Sequence, residues 1–81
     1  MTVERGTFVR FLFEDGVEGV VLSVNEQTEP PLLKVMAVYD DSFSYSITTE
    51  DDIEKIERSQ ISDLRLQIID KEFPKGIQYR V

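Results

Sequence analysis

The chain contains no cysteine and no histidine. The first absence excludes disulfide cross-links and thiolate metal sites, and it fits a reducing compartment, so a cytoplasmic location is the expectation. The second removes the side chain that titrates nearest neutrality, and with it the usual general base and the imidazole ligands of zinc. Long apolar runs are also missing, and the opening Met-Thr-Val-Glu-Arg-Gly has no basic stretch leading into an apolar one. Neither a secretory leader nor a membrane span is therefore expected. Phosphate-binding glycine loops, dinucleotide fingerprints and nucleophile elbows do not occur. Ser44 and Ser46 have no histidine to activate them, and the many carboxylates single out no acid–base pair. The expectation is a non-enzymatic protein without cofactor or resident metal.

What is present suffices for one small fold. The 81 residues are 41% hydrophobic and include five Phe and three Tyr, enough for a single domain over 1–81 with a compact core. Sixteen acids against nine bases give a net charge of −7. The imbalance is uneven: residues 1–57 carry thirteen acids and four bases, whereas residues 58–81 carry three acids and five bases. Such a distribution favours a basic partner and disfavours direct binding of nucleic acid, for which Arg58, Arg65, Lys71, Lys75 and Arg80 would be the contacts.

The strongest local signal is Asp15-Gly16 between the runs Thr7–Phe13 and Glu18–Val24, which predicts a hairpin with a two-residue turn. That turn pairs Phe13 with Glu18, Phe11 with Val20 and Val9 with Leu22. Val9, Phe11, Phe13, Val20, Leu22 and Val24 then form the core face, and Gly19 falls beside Leu12 as a bulge or bend. Asn25 to Pro31 is a polar surface loop, and Leu32 to Tyr39 reads as a central strand. After a turn at Asp40-Asp41-Ser42, the run Phe43 to Thr48 alternates, with Phe43, Tyr45 and Ile47 expected inside and Ser44, Ser46 and Thr48 expected wet.

Thr49 followed by Glu50, Asp51 and Asp52 predicts the start of a short helix over about 50–58, with Ile53 and Ile56 as its apolar stripe. Leu64 to Ile68 alternates and predicts a strand; residues 70–76 predict a turn. Ile77 to Val81 predicts a final edge strand through which a homo-oligomer could form. The fold class expected is mainly β: a small antiparallel barrel or strongly curved sheet of five to six strands with one short helix.

Over about residues 6–57 this pattern resembles the Tudor-like and Src-homology-type small β barrels. The resemblance is carried by the strand Gly6 to Phe13, the turn Phe13-Glu-Asp-Gly-Val-Glu-Gly19, the link Val38-Tyr-Asp-Asp-Ser42 and the segment Asp52-Ile-Glu-Lys-Ile56. It implies recognition of a methylated or basic peptide by an aromatic cluster of Phe11, Tyr39, Phe43 and Tyr45 flanked by Asp40 and Asp41. Whether those rings line a ligand cage or only fill the core stays open.

The acids Asp40, Asp41, Glu50, Asp51, Asp52, Glu54 and Glu57 lack the spacing and the glycine of a calcium loop, so a solvated acidic surface is expected there. The residues expected to meet a partner are Tyr39, Asp40, Asp41, Glu50, Asp51 and Asp52. The function expected is that of a protein-interaction or regulatory domain acting through this acidic surface on another protein with a basic one. The alternatives are an acidic inhibitor that mimics nucleic acid and a Tudor-like peptide reader.

Overall fold

The computed structural model describes the backbone of residues 3–78 and the side chains of residues 3–73. Five antiparallel strands, β1 (Phe8–Phe11), β2 (Glu18–Asn25), β3 (Leu32–Val38), β4 (Phe43–Thr48) and β5 (Ile53–Lys55), form one sheet in the order β4-β3-β2-β1-β5. One helix follows, α1 (Asp63–Gln78). The mainly β class is as expected, and of the two forms expected, barrel or curved sheet, the closed barrel is not formed. The outer strands β4 and β5 do not pair with each other among the described residues.

Both faces of this sheet are buried, which explains why so many strand positions are apolar. Val9, Phe11, Val17, Val21, Leu33, Val35, Ala37 and Ile53 form one cluster, joined by Val3. Val20, Leu22, Met36, Val38 and Ile56 form a second on the opposite face, where Ile61 and Ile69 join them and Leu66, Ile68 and Phe73 pack alongside. The helix covers the second cluster. Among the described residues no helix lies over the first, whose members are buried against one another on the other face of the sheet. At about 1.5–3 kcal/mol for each large aliphatic side chain removed from water, these two clusters are the main source of stability.

The hairpin register differs from the expected one by three residues. Arg10 lies opposite Glu18, Val9 opposite Gly19 and Phe8 opposite Val20, and the Phe11 N–H donates to the Val17 carbonyl. The loop is therefore the five residues Leu12 to Gly16. The Leu12 N–H donates to the Asp52 carbonyl at 2.9 Å, one step beyond the Phe11–Ile53 pair, so β1 continues its pairing with the β5 side into the β4–β5 link after β2 has left it. Gly16, with φ of 78°, supplies the left-handed residue that the loop needs. An odd shift exchanges faces. Val20 and Leu22 consequently lie across the sheet from Val9 and Phe11, and an irregularity between Val21 and Ser23 returns Val24 to the first face. Gly19 sits opposite Ala37 in β3, where a Cβ would collide with the Met36 carbonyl oxygen; close packing of β2 on β3 requires glycine there.

The short helix expected over 50–58 does not form. Glu50–Asp52 is a single 3₁₀ turn, β5 follows, and Arg58–Gln60 is a second 3₁₀ turn. The backbone of Ile53 to Lys55 is claimed by β1, with Phe11 opposite Ile53 and Val9 opposite Lys55. In an extended chain residues three apart face opposite ways. Ile53 accordingly enters the first cluster and Ile56 the second.

The strand expected over Leu64 to Ile68 and the turn expected over 70–76 are both within α1. The Leu-Arg-Leu-Gln-Ile alternation is fortuitous, because Leu64 is exposed while the inward stripe is Leu66, Ile69 and Phe73 at helical spacing. Ser62 starts the helix: its carbonyl accepts the Leu66 N–H at 2.9 Å and its hydroxyl accepts the Arg65 N–H at 3.4 Å. Of the expected edge strand 77–81, Ile77 and Gln78 end the helix, and residues 79–81 lie outside the described residues.

In β4 the expected inner and outer faces are also altered. Phe43, Tyr45 and Ile47 share the helix-covered side with Val38, Met36 and Lys34, but only Phe43 is packed against the cluster there. Tyr45 and Ile47 are exposed. Thr48, expected to be wet, is buried opposite Leu33, and its hydroxyl has no hydrogen-bond partner. An orphaned buried hydroxyl costs about 1–3 kcal/mol. Thr48→Val, which keeps the shape and removes that group, is expected to stabilise the fold by about 1 kcal/mol and to raise the thermal midpoint by about 4–8 °C. Thermal unfolding followed by circular dichroism checks this, and a lowered midpoint would contradict it.

Candidate partner-binding surface

An alternating ladder of charge crosses the helix-covered side of the sheet. Arg65, on the first turn of α1, donates through Nε to Asp40 at 3.0 Å and through a terminal nitrogen to Glu18 at 3.0 Å. Glu18 in turn meets Arg10 at 3.5 Å, and Arg10 meets Glu54 at 3.4 Å. Five side chains from the β3–β4 turn, α1, β2, β1 and β5 thus alternate in sign. Glu18 and Arg65 are largely buried at its centre, whereas Asp40 and Glu54 are solvated at its ends.

The central pair holds the helix to the sheet, and this generates a stability prediction. Arg65→Met leaves the Glu18 carboxylate largely buried with only the longer Arg10 contact, and breaking such a pair from one side costs about 1–3 kcal/mol. Adding Glu18→Gln should recover much of that loss, because the stranded charge is gone. Arg58→Met removes an exposed pair with Asp70, for which the expected loss is within about 1 kcal/mol. Urea unfolding of the variants measures all of these, and equal losses for Arg65→Met and Arg58→Met would contradict the ladder's role.

The six residues expected to meet a partner do not form one uniform surface. Tyr39 is half-buried against the first cluster, and its N–H closes the β3–β4 turn by donating to the Ser42 carbonyl at 2.8 Å. Asp40 is engaged by Arg65, and Glu50 is half-buried with an interaction of its own. Asp41, Asp51 and Asp52 are exposed and make no ion pair among the described residues. The four aromatic rings do not converge either. Phe11 and Tyr39 belong to the first cluster, while Phe43 packs on the second, and Tyr45 stands beside it with ring centroids 5.8 Å apart.

What the residue pattern did not single out is the β1–β2 loop. Leu12 and Phe13 are 54% and 64% exposed, although a two-residue turn would have put Phe13 in the core. Phe13 rests edge-on against Phe11 at a centroid distance of 5.4 Å, so its ring is braced from beneath. Glu14 and Asp15 continue the same loop, exposed and without ion pairs among the described residues. The Leu12–Asp52 backbone bond ties the loop to the Glu50–Asp52 turn. The result is an apolar pair bordered by Glu14, Asp15, Asp51 and Asp52. The cue in the sequence was Phe-Leu-Phe running directly into Glu-Asp-Gly, three consecutive apolar residues of which a two-faced strand end need not bury all.

Among the described residues, no helix is long and apolar enough to cross a membrane. Comparison with protein-family models, with curated proteins and with solved structures finds no match.

Proposed function

We infer that this chain is a non-enzymatic protein-interaction domain whose partner presents a basic segment carrying an apolar side chain. The observation that carries the reading is the exposed Leu12–Phe13 pair beside four exposed carboxylates that make no ion pair among the described residues, on the loop and on the turn bonded to it. Large apolar side chains at the centre of a contact supply most of its affinity, and surrounding charge of one sign supplies orientation and on-rate. Leu12 and Phe13 fill the first role; Glu14, Asp15, Asp51 and Asp52 fill the second. Of the acids expected from the sequence, Asp51 and Asp52 belong to this surface.

The reading as a mimic of nucleic acid has less support, because Asp40, Glu18 and Glu54 alternate with arginines instead of forming an uncompensated row. The peptide-reader alternative has less support in its aromatic-cage form, since the rings it needs lie on two faces of the sheet.

A synthetic peptide with one phenylalanine or leucine between lysines serves as the probe. Titrated into isotope-labelled protein, it should shift the amide resonances of residues 12–16 and 50–52 and leave the outer face of α1 unchanged. Phe13→Ala should weaken binding about tenfold or more, equivalent to about 1.4 kcal/mol, and rising salt should weaken it further. Shifts centred elsewhere, or unchanged affinity in Phe13→Ala, would overturn the proposal.

A further inference from the structure

We propose that the open edge of β4 pairs with the same edge of a second copy, so that two sheets join antiparallel across a two-fold axis at Tyr45. The two edges of the sheet differ in chemistry. At one side β5 is three residues long and carries Glu54 and Lys55, devices that discourage further strand addition. At the other, β4 offers six residues, Phe-Ser-Tyr-Ser-Ile-Thr, without a charge, a proline or a break in register against β3. Residues 42–49 are the longest stretch of the chain free of charge. A chain of net charge −7 repels its own kind over most of its surface, and along this edge two copies can pair residues 43–47 without a charge in the ladder, the nearest acids, Asp41 and Glu50, lying beyond its ends.

The strand is also complementary to itself. A two-fold axis normal to the sheet keeps each face on its own side, and antiparallel partners directly opposite each other share a face. With the axis at Tyr45, Phe43 lies opposite the partner's Ile47, Ser44 opposite the partner's Ser46, and Tyr45 opposite the partner's Tyr45. Every pair is apolar with apolar or hydroxyl with hydroxyl. Tyr45 and Ile47, 46% and 63% exposed in the single chain, gain cover that α1 does not provide. Lys34, the charge on β3 beside Ile47, sits over the Tyr45 ring at 5.4 Å and stays one strand away from the axis. The pairing leaves the Leu12–Phe13 loop outside the joint, so it stands or falls independently of the proposed function. Five residues of edge make a small interface, and the expected dissociation constant is in the micromolar range.

Sedimentation equilibrium from low micromolar to millimolar concentration should show the mass rising from 9.4 kDa to twice that value and stopping there. Ile47→Lys, which places two like charges in the joint, should raise the dissociation constant at least tenfold. Leu64→Ser, which removes an exposed apolar side chain from α1, should leave it unchanged. Circular dichroism verifies that the Ile47→Lys chain is folded. Should it not be, Tyr45→Cys decides instead: as the chain's only thiol, lying on the axis, it should form a disulfide-linked dimer under mild oxidation, and its failure to do so would overturn the proposal. A monomer across the whole range, a dimer indifferent to Ile47→Lys, or masses beyond the dimer, as head-to-tail pairing of β4 with β5 would give, would each overturn it too.

Discussion

The link from β4 to β5 is the constraint on which the rest of the structure depends. These strands occupy opposite edges of the sheet, and four strand spacings of about 4.8 Å would separate them by about 19 Å in a flat array. Only Thr49 and the 3₁₀ turn Glu50–Asp52 connect them. At about 2 Å of rise per residue, that turn cannot bridge a flat sheet. The sheet must roll until its edges approach. Rolling encloses Val9, Phe11, Val21, Leu33, Val35 and Ile53 without any second layer, and it leaves the other face convex, to be covered by α1. The same link accepts the Leu12 N–H, which ties the start of the β1–β2 loop to it. One short connection therefore sets the core, the need for a helix and the position of the exposed Phe13.

Much of this was legible in the residues, because turn chemistry is local. The polar loop before Leu32, the Asp40-Asp41-Ser42 turn, four of the five strands and the mainly β class follow from glycine, proline and acid punctuation. The hairpin register was not, since β1 is paired on both sides and its other neighbour, β5, lies more than forty positions away in the chain. A rolled sheet also buries both faces, which removes the contrast between apolar and polar positions that ordinarily fixes register. The segment from Ile53 to Ile68 was misread in both directions for one reason. Spacings of two and three are too few to separate a helix from a strand when tertiary pairing decides between them. Ile53 and Ile56 looked like a helical stripe but are strand neighbours facing opposite cores, and Leu64 to Ile68 looked extended but contains an exposed leucine on a helix.

The candidate surface was legible in part for the same reason. Acid clusters can be counted, but their availability cannot: Arg65 engages Asp40, and the burial of Tyr39 removes much of its ring from contact. Where Asp51 and Asp52 gain meaning is beside Leu12 and Phe13, a neighbourhood created by the backbone bond from Leu12 to Asp52. Charge in this molecule thus falls into two distinct arrangements. The ladder from Asp40 to Glu54 alternates in sign and fastens α1 to the sheet, while Glu14, Asp15, Asp51 and Asp52 are exposed and make no ion pair among the described residues.

The central claim is that one rolled sheet separates two cores, with α1 over the second. Methyl-resolved nuclear Overhauser spectroscopy tests it directly through two isoleucines three residues apart. Ile53 should join a network with Val9, Val21, Leu33 and Val35, whereas Ile56 should join Val20, Leu22, Met36 and Ile69, with no cross-peak between the two sets. Ile53 and Ile56 in a single network, or Ile69 linked to Val9 and Val21, would contradict the account.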